Sequence, residues 1–192
     1  MCVHNGMEQW SDMEYVEKVQ AGDAEYFAPL LERYSQPVFS LLVRIVGNRE
    51  DAEELTQDVF LKVFRSLSSF RRNSSFATWL YRIAYNTAVS ATRRPKREWM
   101  SFDDSGMERM AEETSDDEAD EVFNEERQQR LEQALDQLRP GDRALILLYY
   151  QQKKTMEEIA KITGLTLSNV KVKMHRIRKK LMDRVKKIER IE

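Results

Sequence analysis

Apolar residues recur at the spacing of an α-helix along most of this 192-residue chain, and no alternating run is long enough to predict a strand. Near the C-terminus, one helical stripe consists of Val170, Met174, Ile177 and Leu181. A second stripe consists of Leu55, Val59, Val63 and Leu67, and it leaves polar residues outside, namely Glu53, Glu54, Gln57 and Asp58. The pattern therefore predicts an all-α protein.

The first half of the chain is predicted to form five helices. The first two lie within residues 12–34 and are separated by a break near Gly22-Asp23. The third begins at Pro37 and ends at Gly47-Asn48. The fourth runs from about Arg49 to about Leu67, and the fifth from about Ala77 to Arg93. Residues 68–76, SSFRRNSSF, have the composition of a loop. Pro95 ends the fifth helix, because the residue before a proline disfavours the helical conformation.

The middle of the chain, from Lys96 to about Asn124, is polar and acidic and has no sustained apolar period. Such a segment cannot bury enough surface to fold and is predicted to be a flexible linker. Order resumes with LEQALDQL at 131–138. Pro140-Gly141 predicts a turn, and Asp142 is expected to cap the apolar helix RALILLYY.

A helix-turn-helix is predicted after that apolar helix. Thr155 followed by Glu158 forms a capping box, which starts a helix. Gly164 supplies the left-handed residue that a tight turn between helices requires. Thr166 then caps the helix that carries the C-terminal apolar stripe.

The last helix is polar and basic on the side opposite its apolar stripe. At 100° per residue this side carries Ser168, Val172, His175 and Lys179, flanked by Lys171 and Arg176. Cations and short polar side chains on an outer face suit the major groove of DNA. A solvated helix in an ordinary bundle has the same periodicity, but the two caps and the glycine turn favour DNA binding.

Charge is unevenly distributed, although the formal net charge is only −2. Residues 65–97 hold eight Arg or Lys and no Asp or Glu, and residues 101–127 hold twelve Asp or Glu against two Arg. Residues 153–192 hold thirteen Arg or Lys against five Asp or Glu. This layout predicts two surfaces that bind a polyanion, separated by a segment that repels it.

Several classes of protein are disfavoured by what the sequence lacks. Cys2 is the single cysteine and cannot form an internal disulfide or a zinc cluster. No apolar run approaches the roughly 18 residues of a membrane span, and no signal-peptide pattern is found, so a cytoplasmic protein without membrane insertion is expected. We find no catalytic motif, and we predict no enzyme activity, metal or cofactor.

A segment rich in aromatic residues and arginine, FRRNSSFATWLYRIAYN, spans residues 70–86. Aromatic faces stack on unpaired bases while arginines hold phosphates, and a loop of Asn, Ser and Arg can hydrogen-bond a flipped base. The alternative is that most of these aromatic residues belong to the core. Helical spacing does not decide whether Trp79 packs in the core or stacks on a base.

These motifs, in this order, resemble the bacterial extracytoplasmic-function (ECF) sigma factors. DAEELTQDVFLKVFRSL, the aromatic segment, the acidic linker and GLTLSNVKVKMHRIRKKL match that family over roughly residues 12–94 and 125–182. The resemblance implies two small helical domains joined by the flexible acidic linker. The expected parts are a flexible N-terminus (1–11), a second-region domain (12–95), the linker (96–124) and a fourth-region domain with the helix-turn-helix (125–192).

The resemblance also implies a function, namely promoter-specific initiation by core RNA polymerase. In this family the first domain binds the β′ clamp helices and melts the −10 element, and the second binds the β flap and reads the −35 element. Many members are held by an anti-sigma factor. Carried onto this chain, the residues that bind core polymerase are Glu54, Gln57, Asp58, Lys62 and Arg65. The −10 contacts are Arg71, Arg72, Asn73, Ser74, Ser75, Phe76, Trp79, Arg82 and Asn86. The −35 contacts are Ser168, Asn169, Lys171, Val172, His175, Arg176 and Lys179.

The chain departs from the family pattern at two places. Many members have a glycine in the turn before the helix-turn-helix, where this chain has Gln152-Lys153-Lys154. Val172-Lys173 stands where small polar residues and arginine are frequent.

Two rival functions are a dimeric regulator of duplex DNA and a helical adaptor that binds only proteins. The acidic linker is expected to act as either an RNA mimic or a spacer.

Overall fold

The computed structural model describes residues 10–93 and 128–188, with side chains to residue 185. This part of the chain consists of helices joined by turns and contains no strand, as the sequence predicts. The helices are α1 (Asp12–Ala21), α2 (Phe27–Val46), α3 (Arg49–Ser66), α4 (Phe76–Arg93), α5 (residues 128–136), α6 (Pro140–Tyr150), α7 (Met156–Thr163) and α8 (Leu167–Ile188), with short 3₁₀ turns at Ala24–Tyr26 and Leu67–Ser69. The predicted linker, residues 96–124, lies outside the described residues.

Side-chain caps start the helices α1 and α3, and a left-handed glycine ends α1. Ser11 and Glu14 form a capping box at the start of α1, and Gly22 ends this helix in the left-handed conformation at φ 112°. The Asn48 side chain accepts a hydrogen bond of 2.8 Å from the Asp51 backbone N–H and so starts α3. The predicted break at Gly22 and the predicted start of α3 are both confirmed.

The prediction that Pro37 opens a new helix is wrong, because α2 continues through it. A proline inside a helix removes a backbone hydrogen bond and costs about 3 kcal/mol. Burying one large apolar side chain contributes about 1.5–3 kcal/mol. The buried face of α2 stays in phase on both sides of the proline, and its members are Leu30, Val38, Leu41, Leu42 and Ile45. This burial outweighs the local cost.

Three helices of the first half enclose a common core. Helix α2 packs against α3 and α4, and α3 packs against α4. Val59 and Val63 on α3 and Leu67 in the 3₁₀ turn that follows it are fully buried, and Leu55 is half-buried, which confirms the predicted stripe. The opposite side of α3 is therefore left outside this core.

The start of α6 differs from the prediction. The helix begins at Pro140, preceded by Arg139 in an extended conformation, and Asp142 lies in the first turn rather than at the cap. Proline is favoured at the first helical position, since its ring presets φ and that position has no helical hydrogen bond to lose. Pro140-Gly141 is consequently the beginning of the helix and not a turn before it.

The helix-turn-helix forms as the sequence predicts. Thr155 and Glu158 make both bonds of the capping box, and Gly164 ends α7 at φ 73°. Thr166 Oγ1 accepts a hydrogen bond of 3.2 Å from the Asn169 backbone N–H. The predicted stripe of α8 is buried along its whole length, namely Val170, Met174, Ile177 and Leu181.

The two halves of the chain pack against each other. Helix α4 lies against α7, and α2 lies against α6. The buried side chains of both halves form one continuous apolar cluster. Among the residues described, no helix is both long and apolar enough to cross a membrane.

Candidate nucleic-acid interface

The basic loop, residues 71–75, is braced against α1. Arg72 has a left-handed backbone, φ 58°, and its guanidinium donates a hydrogen bond of 2.5 Å to the Glu17 carboxylate. Gln20 Nε2 donates to the carbonyl oxygens of Leu67 and Phe70, at 2.9 and 3.1 Å. The structure therefore turns Arg72 toward α1, and it leaves Arg71 and Asn73 exposed beside it.

The end of this loop starts α4 and enters the core. Ser75 Oγ accepts a hydrogen bond of 3.2 Å from the Thr78 backbone N–H, so Ser75 acts as a helix cap, and Ser74 beside it is half-buried. The Phe76 side chain is only 1% exposed, and its ring centre lies 5.6 Å from that of Tyr34. A ring that is buried among other aromatic residues has no free face for a base. We therefore remove Phe76 from the residues expected to touch DNA.

Trp79 lies at the edge of the core, with part of its side chain exposed. It is half-buried, and its ring centre lies 4.9 Å from that of Phe70 and 6.1 Å from that of Phe76. Arg82 and Asn86, at i+3 and i+7 from Trp79, are exposed on the same side of α4, and we name these three residues the α4 strip. The structure thus brings the basic loop and one exposed strip of α4 next to each other.

The outer side of α3 presents a mixed polar and apolar surface. Glu54, Gln57, Asp58, Lys62 and Arg65 are all exposed there as expected. Lys62 also reaches toward α4, where its Nζ donates a hydrogen bond of 3.2 Å to Thr87 Oγ1.

Two apolar residues on α3 were missed by the sequence analysis. Leu61 is 51% exposed and Phe64 is 43% exposed, and the Phe64 ring packs edge-on against Phe27 at 5.1 Å. The signal was available, since both residues are apolar yet out of phase with the buried stripe. We name Gln57, Asp58, Leu61 and Arg65, together with Glu54, the α3 face.

The outer side of α8 is exposed at every position that the sequence assigned to it. These positions are Ser168, Asn169, Lys171, Val172, His175, Arg176 and Lys179, which we name the recognition face. Other cations of this helix are turned toward α6. Lys173 Nζ lies 3.8 Å from the Asp142 carboxylate. The Arg178 guanidinium lies 5.1 Å from the centre of the Tyr149 ring.

The turn between α6 and α7 contains a residue in the left-handed backbone conformation that glycine usually adopts, and here that residue is Lys153. Lys153 has φ 51°, a left-handed conformation that costs an L-residue roughly 1–2 kcal/mol. This residue stands in the turn where many ECF sigma factors have glycine. The side chains on either side of it, Gln152 and Lys154, both contact Tyr81 on α4.

Comparison with known proteins agrees with this geometry. The family models for Sigma-70 region 2 and Sigma-70, region 4 match residues 30–98 and 128–181. The ECF RNA polymerase sigma-E factor of Escherichia coli is 34% identical over an aligned length of 193, gaps included. The alignment covers 95% of this chain and 98% of that protein. The ECF RNA polymerase sigma factor SigW of Bacillus subtilis is 30% identical over 179 residues, or 88% of this chain and 95% of that protein.

A solved structure shares the fold over most of the chain. The sigma factor RpoE of Bartonella quintana, in complex with the anti-sigma factor NepR, gives a TM-score of 0.65 at 24% identity, and covers 83% of this chain and 96% of that one. In the described residues, helices α7 and α8 form a helix-turn-helix with an exposed basic face, which is the arrangement of many DNA-binding proteins. With the matches to both sigma regions, the chain belongs to the extracytoplasmic-function (ECF) sigma factor family. As a member of this family, it directs promoter-specific transcription initiation.

Proposed function

We propose that three surfaces divide the work of initiation in this chain. Residues 12–95 form a domain that binds core RNA polymerase and the −10 element, and residues 125–192 form a domain that reads the −35 element. Residues 1–11 and 96–124 lie outside these domains. The observation that carries the proposal is that the α3 face, the α4 strip and the recognition face are each exposed to solvent and lie on segments that match the two sigma regions.

The α3 face is proposed to dock on the β′ clamp helices of core polymerase. Protein interfaces commonly have an apolar centre and a polar rim. On α3, exposed Leu61 supplies the apolar centre, and Gln57 and Asp58 lie one turn before it on the same side. Lys62 is a weaker candidate than the sequence suggested, because it already contacts Thr87.

The basic loop and the α4 strip are proposed to hold the separated −10 strand. Arg71, Asn73 and Arg82 are exposed and able to reach phosphates or base edges. Asn86 extends this strip along α4. Arg72 and Ser75 are proposed to act indirectly, since Arg72 holds the loop on α1 and Ser75 caps α4.

The recognition face is proposed to enter the major groove at the −35 element. Arg176 and Lys171 suit guanine edges or phosphates, and Val172, 44% exposed, suits a thymine methyl group. The domain that carries this face is also proposed to bind the β flap. Because core polymerase and promoter DNA are in the cytoplasm, we place the protein there. We assign it no enzyme activity, because its relatives are sigma factors.

An anti-sigma factor is proposed as a further partner. The Bartonella quintana RpoE was solved in complex with the anti-sigma factor NepR, and it shares the fold of this chain. This proposal therefore rests on likeness of fold and on family membership.

The direct test of the proposed function is DNA binding with and without core polymerase. A mobility-shift experiment is expected to show tight, sequence-specific binding to promoter fragments only when core polymerase is present. A dimeric regulator would instead bind duplex DNA specifically by itself, and an adaptor would bind no promoter in either case. Either of these results would overturn the proposal.

A further inference from the structure

Helix α1 carries two polar side chains that bond the segment leading into the basic loop and the loop itself. These side chains belong to Glu17 and Gln20, which are three residues apart and therefore lie on the same side of the helix. The helix is held in place, because its Tyr15 and Val16 side chains are buried in the core. Bonds made from α1 thus attach the loop to a fixed support.

Gln20 fixes the start of the loop through backbone atoms. Its Nε2 donates hydrogen bonds to the carbonyl oxygens of Leu67 and Phe70, at 2.9 and 3.1 Å. Leu67 lies in the 3₁₀ turn that follows α3, and Phe70 is the residue before the loop. The Oε1 of the same amide lies 3.4 Å from the Arg72 guanidinium. One half-buried side chain therefore sets the direction in which the chain enters the loop.

Glu17 fixes the middle of the loop. Its carboxylate accepts a hydrogen bond of 2.5 Å from Arg72, whose backbone is left-handed at φ 58°. This conformation strains a residue that has a Cβ, and it persists only where surrounding contacts hold it. The two side chains are 53% and 45% exposed, so the pair contributes little to the stability of the whole chain. Its effect is local, namely to keep Arg72 turned toward α1.

The far end of the loop is fixed by α4. Ser75 Oγ accepts a hydrogen bond of 3.2 Å from the Thr78 backbone N–H and donates one of 2.9 Å to Thr78 Oγ1. The loop is thus attached at its start, its middle and its end, and the exposed side chains of Arg71 and Asn73 lie between these attachments. A loop that is held in one shape loses less conformational freedom when a fitting ligand binds.

We propose that Glu17 and Gln20 are positioning residues for the melted promoter. They hold the basic loop in the shape in which Arg71 and Asn73 receive the unpaired −10 strand, and they act through the loop without touching DNA. This role rests on the proposed function, whereas the bracing of the loop by α1 does not. The opposite assignment is that Glu17 competes with DNA phosphates for Arg72. The two assignments predict opposite effects of removing the Glu17 carboxylate.

The bracing is tested on the full chain without polymerase or DNA. The proton–nitrogen heteronuclear NOE of the loop amides reports motion on the picosecond-to-nanosecond timescale. In the wild type we expect values close to those of the helices. Gln20→Met removes the amide and keeps the length of the side chain, and Glu17→Ala removes the carboxylate. Both variants are expected to lower the NOE of the loop amides and to leave that of α2 unchanged.

The matched control for Glu17→Ala is Glu25→Ala, which removes an exposed carboxylate that makes no bond to the loop. It is expected to leave the NOE of the loop amides at the wild-type value. A wild-type loop as mobile as a chain terminus, or loop amides that are unchanged in both Gln20→Met and Glu17→Ala, would overturn the bracing.

The positioning role is tested with the holoenzyme on a promoter fragment taken from a start site mapped with the wild-type chain. The measurement separates the affinity of the closed complex from the rate constant of promoter opening. Gln20→Met and Glu17→Ala are expected to lower the rate constant by roughly two- to twelvefold, the range for one lost hydrogen bond. The affinity of the closed complex is expected to stay the same, whereas a smaller folded fraction would change both quantities.

A charge swap tests whether Glu17 acts through Arg72. Glu17→Arg alone is expected to slow promoter opening, which distinguishes bracing from a general attraction of the added cation for DNA. Combined with Arg72→Glu it restores an ion pair, so the double variant is expected to open the promoter faster than Arg72→Glu alone. Faster opening by Glu17→Ala, or no rescue in the double variant, would overturn the proposal. If the wild-type holoenzyme opens no promoter, the proposed function fails, and the NOE still decides whether α1 orders the loop.

Discussion

The Thr78 hydroxyl on α4 donates a hydrogen bond of 3.1 Å to the Glu158 carboxylate, which caps a helix eighty residues later in the chain. The same carboxylate therefore starts the helix-turn-helix and ties it to the other half. We expect Glu158→Ala to lower the free energy of unfolding by about 1–2 kcal/mol, since it removes a cap and a cross-domain bond. Urea denaturation measures this. Glu157→Ala, at the exposed neighbouring position, is the control and is expected to cost much less.

The contribution of Glu158 is also expected to depend on pH. Burial by itself raises the pKa of this carboxyl, but the Thr155 backbone N–H, the charge of Lys154 and the Thr78 hydroxyl hold it below the usual 4.5. A lowered folded pKa gives a stabilisation that is present above about pH 4.5 and is lost as the pH falls through the folded value. The stability difference between wild type and Glu158→Gln should be constant at neutral pH and shrink in acid. A difference that persists unchanged at pH 3 contradicts this assignment.

Asp58 is expected to matter for polymerase binding and not for folding. Its side chain is exposed beside Leu61 on the α3 face. Reversing a charge that becomes buried against a partner weakens binding by about 2–5 kcal/mol, whereas exposed substitutions change the free energy of unfolding by about 0.5 kcal/mol or less. Asp58→Lys should therefore lose affinity for core polymerase, measured by fluorescence anisotropy. Its melting temperature should equal that of the wild-type protein. Glu25→Lys, exposed on the first 3₁₀ turn, is the control, and normal binding by Asp58→Lys would show that the assigned face is wrong.

Arg82 is expected to act on the melted promoter. Because its side chain is exposed on α4, Arg82→Ala should leave the free energy of unfolding within about 0.5 kcal/mol of wild type. Permanganate reactivity of unpaired thymines should fall, while promoter binding in the closed complex persists. Trp79→Ala, in contrast, also loses contact with Phe70 and should lower stability. Equal loss of closed and open complexes by Arg82→Ala would contradict a role in strand separation.

Two cations of α8 provide a matched test of the recognition face. Arg176 is exposed, whereas Lys173 pairs with Asp142 on α6. Arg176→Ala should weaken holoenzyme binding to promoter DNA by about 1–3 kcal/mol and relax the preference at one position of the −35 element. Lys173→Ala should change binding far less. If Lys173→Ala has the larger effect on DNA affinity, the recognition face has been placed on the wrong side of the helix.

Features that depend on neighbouring residues were predictable from the sequence. The caps at Thr155 and Thr166, the left-handed Gly164 and the buried stripe of α8 all form as predicted, because each depends on spacing within a few residues. The outer position of Gln57 and Asp58 follows from the same periodicity. Membership of the ECF family was recognisable for the same reason, since its motifs are local segments in a fixed order.

Features that depend on tertiary packing were not predictable. Pro37 lies inside a helix because the buried face of α2 continues past it, and Phe76 lies in the core because α4 enters the bundle at that residue. Arg72 is held by Glu17, which is 55 residues away along the chain. The bond between Tyr81 and Gln152 likewise joins two segments that no local pattern connects. These contacts decide which residues of the basic loop are free and how the two halves meet.

Mapping the 5′ ends of RNA made in vitro by purified core polymerase, with and without this chain, tests the central claim most directly. On genomic DNA fragments we expect discrete new start sites that appear only with the chain. These starts should be lost when Asp58→Lys replaces the wild-type protein, and Glu25→Lys should retain them. RNA 5′ ends that are the same with core polymerase alone and with added chain would contradict promoter-specific initiation by this protein.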